Sequence, residues 1–183
     1  MSAMSNTGGA RLEAVLENND AVIRVHGRAN YILAPDLKQF GARVARTACR
    51  RMVLDMHDCE SMDSTFIGVL AGLSVRLRKQ GGRAYLVNLS PKNYEVLRTL
   101  GVQRLLDCHL EGALPDDLQE LLRHATVFYP VAHNAPDQQT RTAVMLDAHD
   151  DLIRADPSNL MKFKDVVDLL RRERTGGGDP EKE

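Results

Sequence analysis

The side chains with the clearest chemical potential gather in one short stretch of the sequence. Three aspartates, Asp55, Asp58 and Asp63, are followed directly by the hydroxyl side chains of Ser64 and Thr65. Carboxylates can bind metal ions or act as an acid–base pair, and hydroxyls can carry a phosphoryl group. No Asp-x-Asp motif or glycine-rich phosphate loop accompanies the aspartates. We therefore favour structural roles for them, with Asp63 as a helix cap or a support for the hydroxyl loop.

Two His and Cys pairs raise the question of a zinc site. His57 with Cys59, and Cys108 with His109, would supply a ligand set only if the fold brought the pairs together. Structural zinc sites usually show Cys-x2–4-Cys or His-x3–5-His spacing, and neither occurs here. A Ser-His-Asp triad is not indicated either, because Gly-x-Ser-x-Gly is absent. We predict no metal, no cofactor and no catalytic residues, so the chain is predicted not to be an enzyme.

The elements around this stretch are a buried strand and a helix. Met52–Leu54 is apolar without alternation, which suits a strand covered on both faces. From Phe66 to Leu77 the apolar residues recur at helical spacing. The glycine pair Gly81–Gly82 is typical of a helix end. The hydroxyls are thus expected at a strand-to-helix junction on the surface, where a phosphate would meet free amides and the positive end of the helix dipole.

An ordered series of motifs carries a family resemblance. The motifs are Val53–Met56, Met62–Leu70, Leu77–Gly82, Leu86–Pro91 and Leu97–Val102. This series resembles the STAS domain of anti-sigma-factor antagonists over about residues 10–125. The resemblance implies an α/β fold, with a STAS-like mixed sheet of four to five strands and packed helices, to which this chain adds a C-terminal helical hairpin.

The resemblance also implies the residues of a switch. The hydroxyl that a partner kinase phosphorylates in the family falls on Thr65, with Ser64 beside it. Asp63, Phe66 and Asn30 are the expected partner contacts. Many family members have glycine where this chain has Phe66. A bulky residue there could alter the fit of the partner or bar the kinase.

The function that the resemblance implies is that of an anti-sigma-factor antagonist. Such a protein would sequester an anti-sigma factor, a serine-protein kinase of the histidine-kinase-like ATPase type, and so regulate transcription. A serine phosphatase would reverse the switch. A STAS scaffold or transporter-associated module that does not act on a sigma factor is the main alternative. A small enzyme using the acidic loop is a third, although its catalytic set is incomplete.

Composition narrows the function classes. The formal net charge of −1 over 183 residues argues against general binding to nucleic acid or to anionic membrane. No apolar run approaches the ~20 residues of a membrane span, and the N-terminus lacks the apolar core of a signal peptide. Cys49, Cys59 and Cys108 are odd in number and widely spaced, as in reduced thiols. We therefore predict a cytoplasmic protein.

The order of elements predicts the domain layout. Strands are expected at about 12–16, 21–26, 52–54, 83–88 and 105–110, the first two as an antiparallel hairpin. Helices are expected from Pro35, after Ser90 and from Pro115. The predicted units are a disordered N-terminus at 1–9, a STAS domain at 10–127, a linker at 128–137, a helical hairpin at 138–174 and a disordered tail at 175–183.

The C-terminal hairpin lies outside the resemblance. Its helices are expected at about Gln138–Ala155 and Ser158–Arg174, and both have apolar faces. A hairpin this short cannot bury those faces alone. It must pack on its own domain, on a second copy or on a partner. A homodimer through these helices and a partner clamp both remain alternatives to a simple extension of the fold.

Overall fold

The structure, a computed structural model, describes residues 9–175 and contains one mixed sheet. Its strands run in the order β6-β5-β3-β2-β1-β7, and β4 pairs in parallel with the end of β2. The strands are β1 Arg11–Glu17, β2 Asp20–Ala29, β3 Arg51–Asp55, β4 Cys59–Met62, β5 Arg83–Leu89, β6 Asp107–Leu110 and β7 Tyr129–Pro130.

Six α-helices and one short 3-10 helix complete the described chain. They are α1 Ala34–Val44, α2 Ser64–Lys79, α3 Pro91–Thr99, the 3-10 helix Val102–Arg104, α4 Asp116–His124, α5 Gln138–Ala155 and α6 Asn159–Arg174. The α/β class, the mixed sheet and the C-terminal helical hairpin are confirmed. The predicted disordered ends, apart from Gly9 and Thr175, lie outside the described residues.

The prediction of four to five strands was too low, since the described residues form seven. The missed strand β4 lies inside the acidic loop, has only its two end residues buried, and pairs with β2 beyond a register shift at Gly27. The missed strand β7 has two residues, one of them a proline, and lies in the predicted linker. Neither segment has the length or alternation by which a strand is found in a sequence.

The pairing of the main strands follows the prediction. β1 and β2 form an antiparallel hairpin, and Asn18 and Asn19 at its tip have φ values of 48° and 69°. Such left-handed pairs suit a two-residue hairpin turn. β3, α2 and β5 form the predicted parallel crossover, since β3 and β5 are parallel neighbours.

The two faces of the central strands bury different layers. Met52 and Leu54 belong to the main core, which holds residues of α1, α2 and α3, whereas Val53 packs in a separate cluster with Leu118 of α4. Successive side chains of a strand point to opposite faces. All three strand residues are 0% exposed, so the prediction of a strand covered on both faces is confirmed. Helix α2 thus lies on the side of the sheet opposite α4.

The C-terminal hairpin packs on its own domain. Val144, Ala148 and Leu152 of α5 join the main core, and α5 lies against α2. Leu146 of α5 packs with Val167 and Leu170 of α6 in a cluster of their own. Helix α5 is therefore sandwiched between α2 and α6.

Candidate functional site

Asp63 ties the start of α2 to the loop that follows β2. Its Oδ1 accepts a hydrogen bond from the amide of Phe66 at 2.8 Å, which caps the helix. Its Oδ2 accepts another from the amide of Tyr31 at 2.7 Å. Of the two roles predicted for Asp63, a helix cap or a support for the hydroxyl loop, the cap is confirmed. One carboxylate thus fixes two loops relative to each other.

Asn30 lies beside this link and shapes the second loop. Its Oδ1 accepts a hydrogen bond from the amide of Ile32 at 3.0 Å, and its carbonyl accepts bonds from Leu33 and Ala34. Tyr31 and Ile32 are each 46% exposed, next to the start of α2. Sequence reasoning missed these two side chains as a surface feature. Partner contact by Asn30 and Asp63, both half-buried, remains a prediction.

The two hydroxyls of Ser64 and Thr65 were predicted to lie on the surface, and the structure does not place Thr65 there. Thr65 is 3% exposed and Phe66 is 0% exposed, while Ser64 is half-buried. The expectation of an exposed Thr65 is wrong for this conformation, and Phe66 has no surface to offer a partner. The burial has a physical reason, because the first turn of α2 packs into the main core and lies against the C-terminal hairpin.

His149 of α5 contacts the hydroxyl of Ser64, and sequence reasoning missed it. Its Nε2 lies 3.1 Å from the Ser64 hydroxyl, and its Nδ1 lies 2.7 Å from the carbonyl oxygen of Met145. A carbonyl can only accept, so Nδ1 carries a proton, and in that tautomer Nε2 is the acceptor for the Ser64 hydroxyl. The ring is 2% exposed and meets Phe163 edge-on, with centroids 4.9 Å apart. No local motif could have revealed a contact across 85 residues.

Two glycines let α5 approach α2 closely. A Cβ atom at Gly68 would lie 2.6 Å from the carbonyl carbon of Ala148, which is too short for any real contact. A Cβ at Gly72 would overlap the side-chain carboxylate of Asp151. Ser64, Gly68 and Gly72 are spaced by four residues and so share one face of α2. That face is the one that α5 covers.

A groove of about 840 Å³ runs between α1, α2 and α5. Lys38 of α1 and Asp147 of α5 form an ion pair across it at 2.6 Å. Asp151 also lines the groove, pairs with Arg154 at 2.9 Å, and has its pKa raised by burial. Val69, four residues after Thr65, lines the same groove. The part of the groove formed by α2 thus begins one turn after Thr65 and runs toward the C-terminal end of the helix.

The acidic loop is occupied by structural contacts. Asp55 accepts hydrogen bonds from the side-chain amide of Asn88 at 2.8 Å and from the amide of His57 at 3.2 Å. Asp58 pairs with His26 at 3.0 Å. Within residues 9–175, no three His, Cys, Asp or Glu side chains come together as a metal site.

The three cysteines have free thiols in the structure. Burial raises the pKa of Cys59 to about 11 and that of Cys108 to about 12. Burial also raises the pKa of Cys49. Because the thiolate is the reactive form, these thiols are poor nucleophiles near neutral pH.

In the part of the chain that the structure describes, no helix combines the length and apolar content needed to cross a membrane.

The comparisons with known proteins agree with this fold. The chain is similar to an anti-sigma factor antagonist from Mycobacterium paratuberculosis, with a TM-score of 0.52 and 21% identity over 67% of this chain and 99% of that one. It is also similar to an anti-sigma-factor antagonist (STAS) domain protein from Planctomyces limnophilus, with a TM-score of 0.51 and 19% identity over 63% and 98%. At such identities the likeness shows a shared fold.

The family comparison is more specific. No curated protein matches the chain in sequence. The family model of the STAS domain matches residues 11–116, more than half of the 183 residues, and ends before α5 and α6. Strands β1 to β6, the capped start of α2 and the hydroxyl pair fall within the match, whereas β7 lies beyond it. The chain therefore belongs to the STAS domain family.

Proposed function

We propose that this chain is an anti-sigma-factor antagonist, a non-enzymatic binding module that sequesters an anti-sigma factor and so regulates transcription in the cytoplasm. The partner is a serine-protein kinase of the histidine-kinase-like ATPase type, and a serine phosphatase resets the switch. One observation carries the proposal: a STAS domain places Ser64 and Thr65 in the first turn of α2, directly after the capping carboxylate of Asp63.

The mechanism of the switch is a change of charge at this turn. A phosphate on either hydroxyl adds about −1.5 to −2 units of charge beside the Asp63 carboxylate. The dipole of α2 and its free amides stabilise that charge locally. A partner surface that presents carboxylates or a tight apolar fit would lose affinity. A loss of about 3 kcal/mol corresponds to roughly 100-fold in affinity, which is enough for a switch.

The burial of Thr65 sets a condition on the mechanism. A kinase must bring a hydroxyl to its phosphoryl donor, and a side chain that is 3% exposed is out of reach. Ser64 is half-buried but its hydroxyl is bonded to His149. Phosphorylation of either residue thus requires α2 to lose part of its covering first.

The test is a binding experiment with two Thr65 variants. We expect Thr65→Asp to mimic the phosphorylated state and to weaken binding of the anti-sigma factor, measured by calorimetry or pull-down. We expect Thr65→Ala to retain binding and to resist the kinase at that position. Phosphosite mapping by mass spectrometry, after incubation with the kinase and ATP, decides between Ser64 and Thr65. Identical partner binding by both variants would contradict the proposal.

A scaffold or transporter-associated STAS module is the second candidate. The observation that favours it is the α5–α6 hairpin, which lies outside the family match and covers α2. A scaffold needs no accessible hydroxyl. This candidate predicts no phosphorylation of Ser64 or Thr65 by any anti-sigma kinase, and full partner binding by Thr65→Asp.

A homodimer through the C-terminal helices also remains a prediction. Helix α5 is already packed between α2 and α6. The outer face of α6 is therefore the part of the hairpin that a second copy would contact. That face exposes Met161 and Leu169, at 83% and 56%. Sedimentation velocity of the full chain and of a Leu169→Glu variant tests this. A dimer of wild type that the variant lacks would support it, and two monomers would exclude it.

A further inference from the structure

The face of α2 that carries the hydroxyl pair is already occupied within the chain. Starting from the first turn, Ser64 bonds to His149, Gly68 meets the backbone of Ala148, and Gly72 meets Asp151. The three contacts follow each other at intervals of four residues, so α5 covers this face continuously for about two turns. A partner that contacts the same face of α2 has to replace α5.

We propose that the α5–α6 hairpin is an intramolecular cover for the hydroxyls of Ser64 and Thr65, and that the partner kinase gains access to them only after the hairpin leaves α2. The proposal rests on the proposed function for the identity of the partner. The cover itself is a property of the contacts between α2 and α5.

The two helices of the hairpin share an apolar cluster of their own, which allows them to move as a unit. Leu146, Val167 and Leu170 form an apolar cluster between α5 and α6 that is separate from the main core. The two helices therefore keep contacts with each other when α5 separates from α2. Sub-global opening of such a unit is a common mode of motion in folded proteins.

Polar anchors hold the hairpin to the domain at both ends, in addition to the Ser64–His149 bond and the Lys38–Asp147 ion pair between them. At the turn between α5 and α6, Asn159 donates from its side-chain amide to the carbonyls of Leu100 and Leu152, at 3.0 and 2.9 Å. Near the connection to the domain, His133 lies 2.6 Å from the buried carboxylate of Asp36. Loss of the first anchor frees the end of the hairpin that is remote from the connection.

A phosphate on Ser64 is incompatible with the closed hairpin. The Ser64 oxygen already lies at hydrogen-bond distance from His149, whose ring is buried between α2 and Phe163. A phosphoryl group attached there would need the space that the ring fills. Phosphorylation would therefore trap the hairpin in the open position once it has opened.

A direct test measures access to position 65 in the full chain. A Thr65→Cys variant is treated with a maleimide near neutral pH, and labelling of that position is followed by mass spectrometry. The native thiols give a background that mass spectrometry separates from position 65: Cys49 and Cys59 are buried and Cys108 is partly buried. We expect slow labelling of position 65, and labelling about tenfold or more faster when Gly68→Ala is added, because the new methyl group meets the α5 backbone.

Gly72→Ala is the matched control. It adds the same methyl group one turn further along the same face, but meets only the flexible end of Asp151, which can turn aside. We expect labelling rates close to those of Thr65→Cys alone. Fast labelling in the absence of Gly68→Ala, or equal rates with and without it, would overturn the cover.

Hydrogen exchange distinguishes opening of the hairpin from unfolding of the whole chain. In the Gly68→Ala variant, exchange should rise in α5 and in the first turn of α2, while β3 and β5 stay protected. If that variant does not fold, Asn159→Ala replaces it, since this change loosens the remote end of the hairpin without touching α2. Unchanged labelling in a folded Asn159→Ala variant would also overturn the cover.

A binding measurement separates this inference from the proposed function. A purified anti-sigma factor of the histidine-kinase-like ATPase type should bind the Gly68→Ala chain about tenfold or more tightly than wild type. Equal binding to both chains would overturn the cover and leave the proposed function standing. Faster labelling with no binding to either chain would overturn the proposed function and leave the cover standing.

Discussion

At the scale of single residues, the most informative contacts lie at the first turn of α2. Asp63 caps the helix and holds the Tyr31 amide, while Ser64 donates to His149 on a helix that lies far away in sequence. Each of these bonds satisfies a polar group that is wholly or partly withdrawn from water. The cost of leaving such a group without a partner exceeds the net value of an average hydrogen bond.

Replacement of Asp63 should show that both of its carboxylate oxygens are used. Asp63→Asn keeps an oxygen that can cap Phe66 but presents an amide to the Tyr31 N–H, so it loses one bond. Asp63→Ala loses both. We expect the free energy of unfolding, from urea denaturation, to fall in the order wild type, Asn, Ala, with about 1–2 kcal/mol lost in the alanine variant. Equal stability of the two variants would contradict this.

The Ser64–His149 bond should appear as coupling in a double-mutant cycle. Ser64→Ala leaves the buried Nε2 atom of His149 without a donor, at a cost of about 1–3 kcal/mol in unfolding free energy. In a His149→Ala background the same change should cost less, because no orphan atom remains. Ser61→Ala, on the neighbouring strand β4, serves as a control. Equal costs of Ser64→Ala in both backgrounds would rule out the bond.

At the scale of elements, the hairpin is held at its turn by one buried side chain. Asn159 is 0% exposed and donates to carbonyls of two different segments. We expect Asn159→Ala to lower the unfolding free energy by about 1–3 kcal/mol, since the Leu100 carbonyl loses this donor. The Leu152 carbonyl keeps its bond from the amide of Asp156. Chemical denaturation measures the change. Asn134→Ala, at an exposed position, should have little effect, and a similar loss there would contradict this account.

At the scale of the whole molecule, we expect low pH to reduce the stability of the fold through the carboxyl groups at both ends of α5. Hydrogen bonds from Thr140 lower the pKa of Asp137, which caps α5, and bonds from Ser158 lower the pKa of Asp156 at its other end. A carboxyl group whose pKa is lower in the folded state stabilises the fold above its unfolded pKa of 3.8. That contribution is lost as the pH falls through the folded value.

A single substitution isolates this effect. Asparagine caps helices about as well as aspartate but does not titrate. We expect Asp137→Asn to leave the melting temperature almost unchanged at pH 7. Below about pH 4, the melting temperature of this variant should fall less than that of wild type. Asp165→Asn, at an exposed site on α6, should follow wild type throughout. Parallel acid curves for Asp137→Asn and wild type would contradict the prediction.

Local sequence determined most of the elements, because their signals are short-range. Met52–Leu54 is a strand covered on both faces, Ser90 caps α3 and Asp63 caps α2, all as predicted. The first hairpin also followed from its Asn-Asn turn. The α5 and α6 boundaries were found to within a residue, since their apolar spacing and the Asp156–Asn159 turn are local features. The family motifs then supplied the arrangement of the sheet.

Only the tertiary structure decided what covers the hydroxyl pair. The sequence shows Ser64 and Thr65 in a polar loop, and by that criterion they belong on the surface. The contact that holds the Ser64 hydroxyl comes from a helix that begins more than 70 residues later and approaches α2 at Gly68. Apolar periodicity says that α5 must bury a face, but not against which surface. Packing between distant segments is set by the complementary shapes of the whole fold, and no local pattern encodes it.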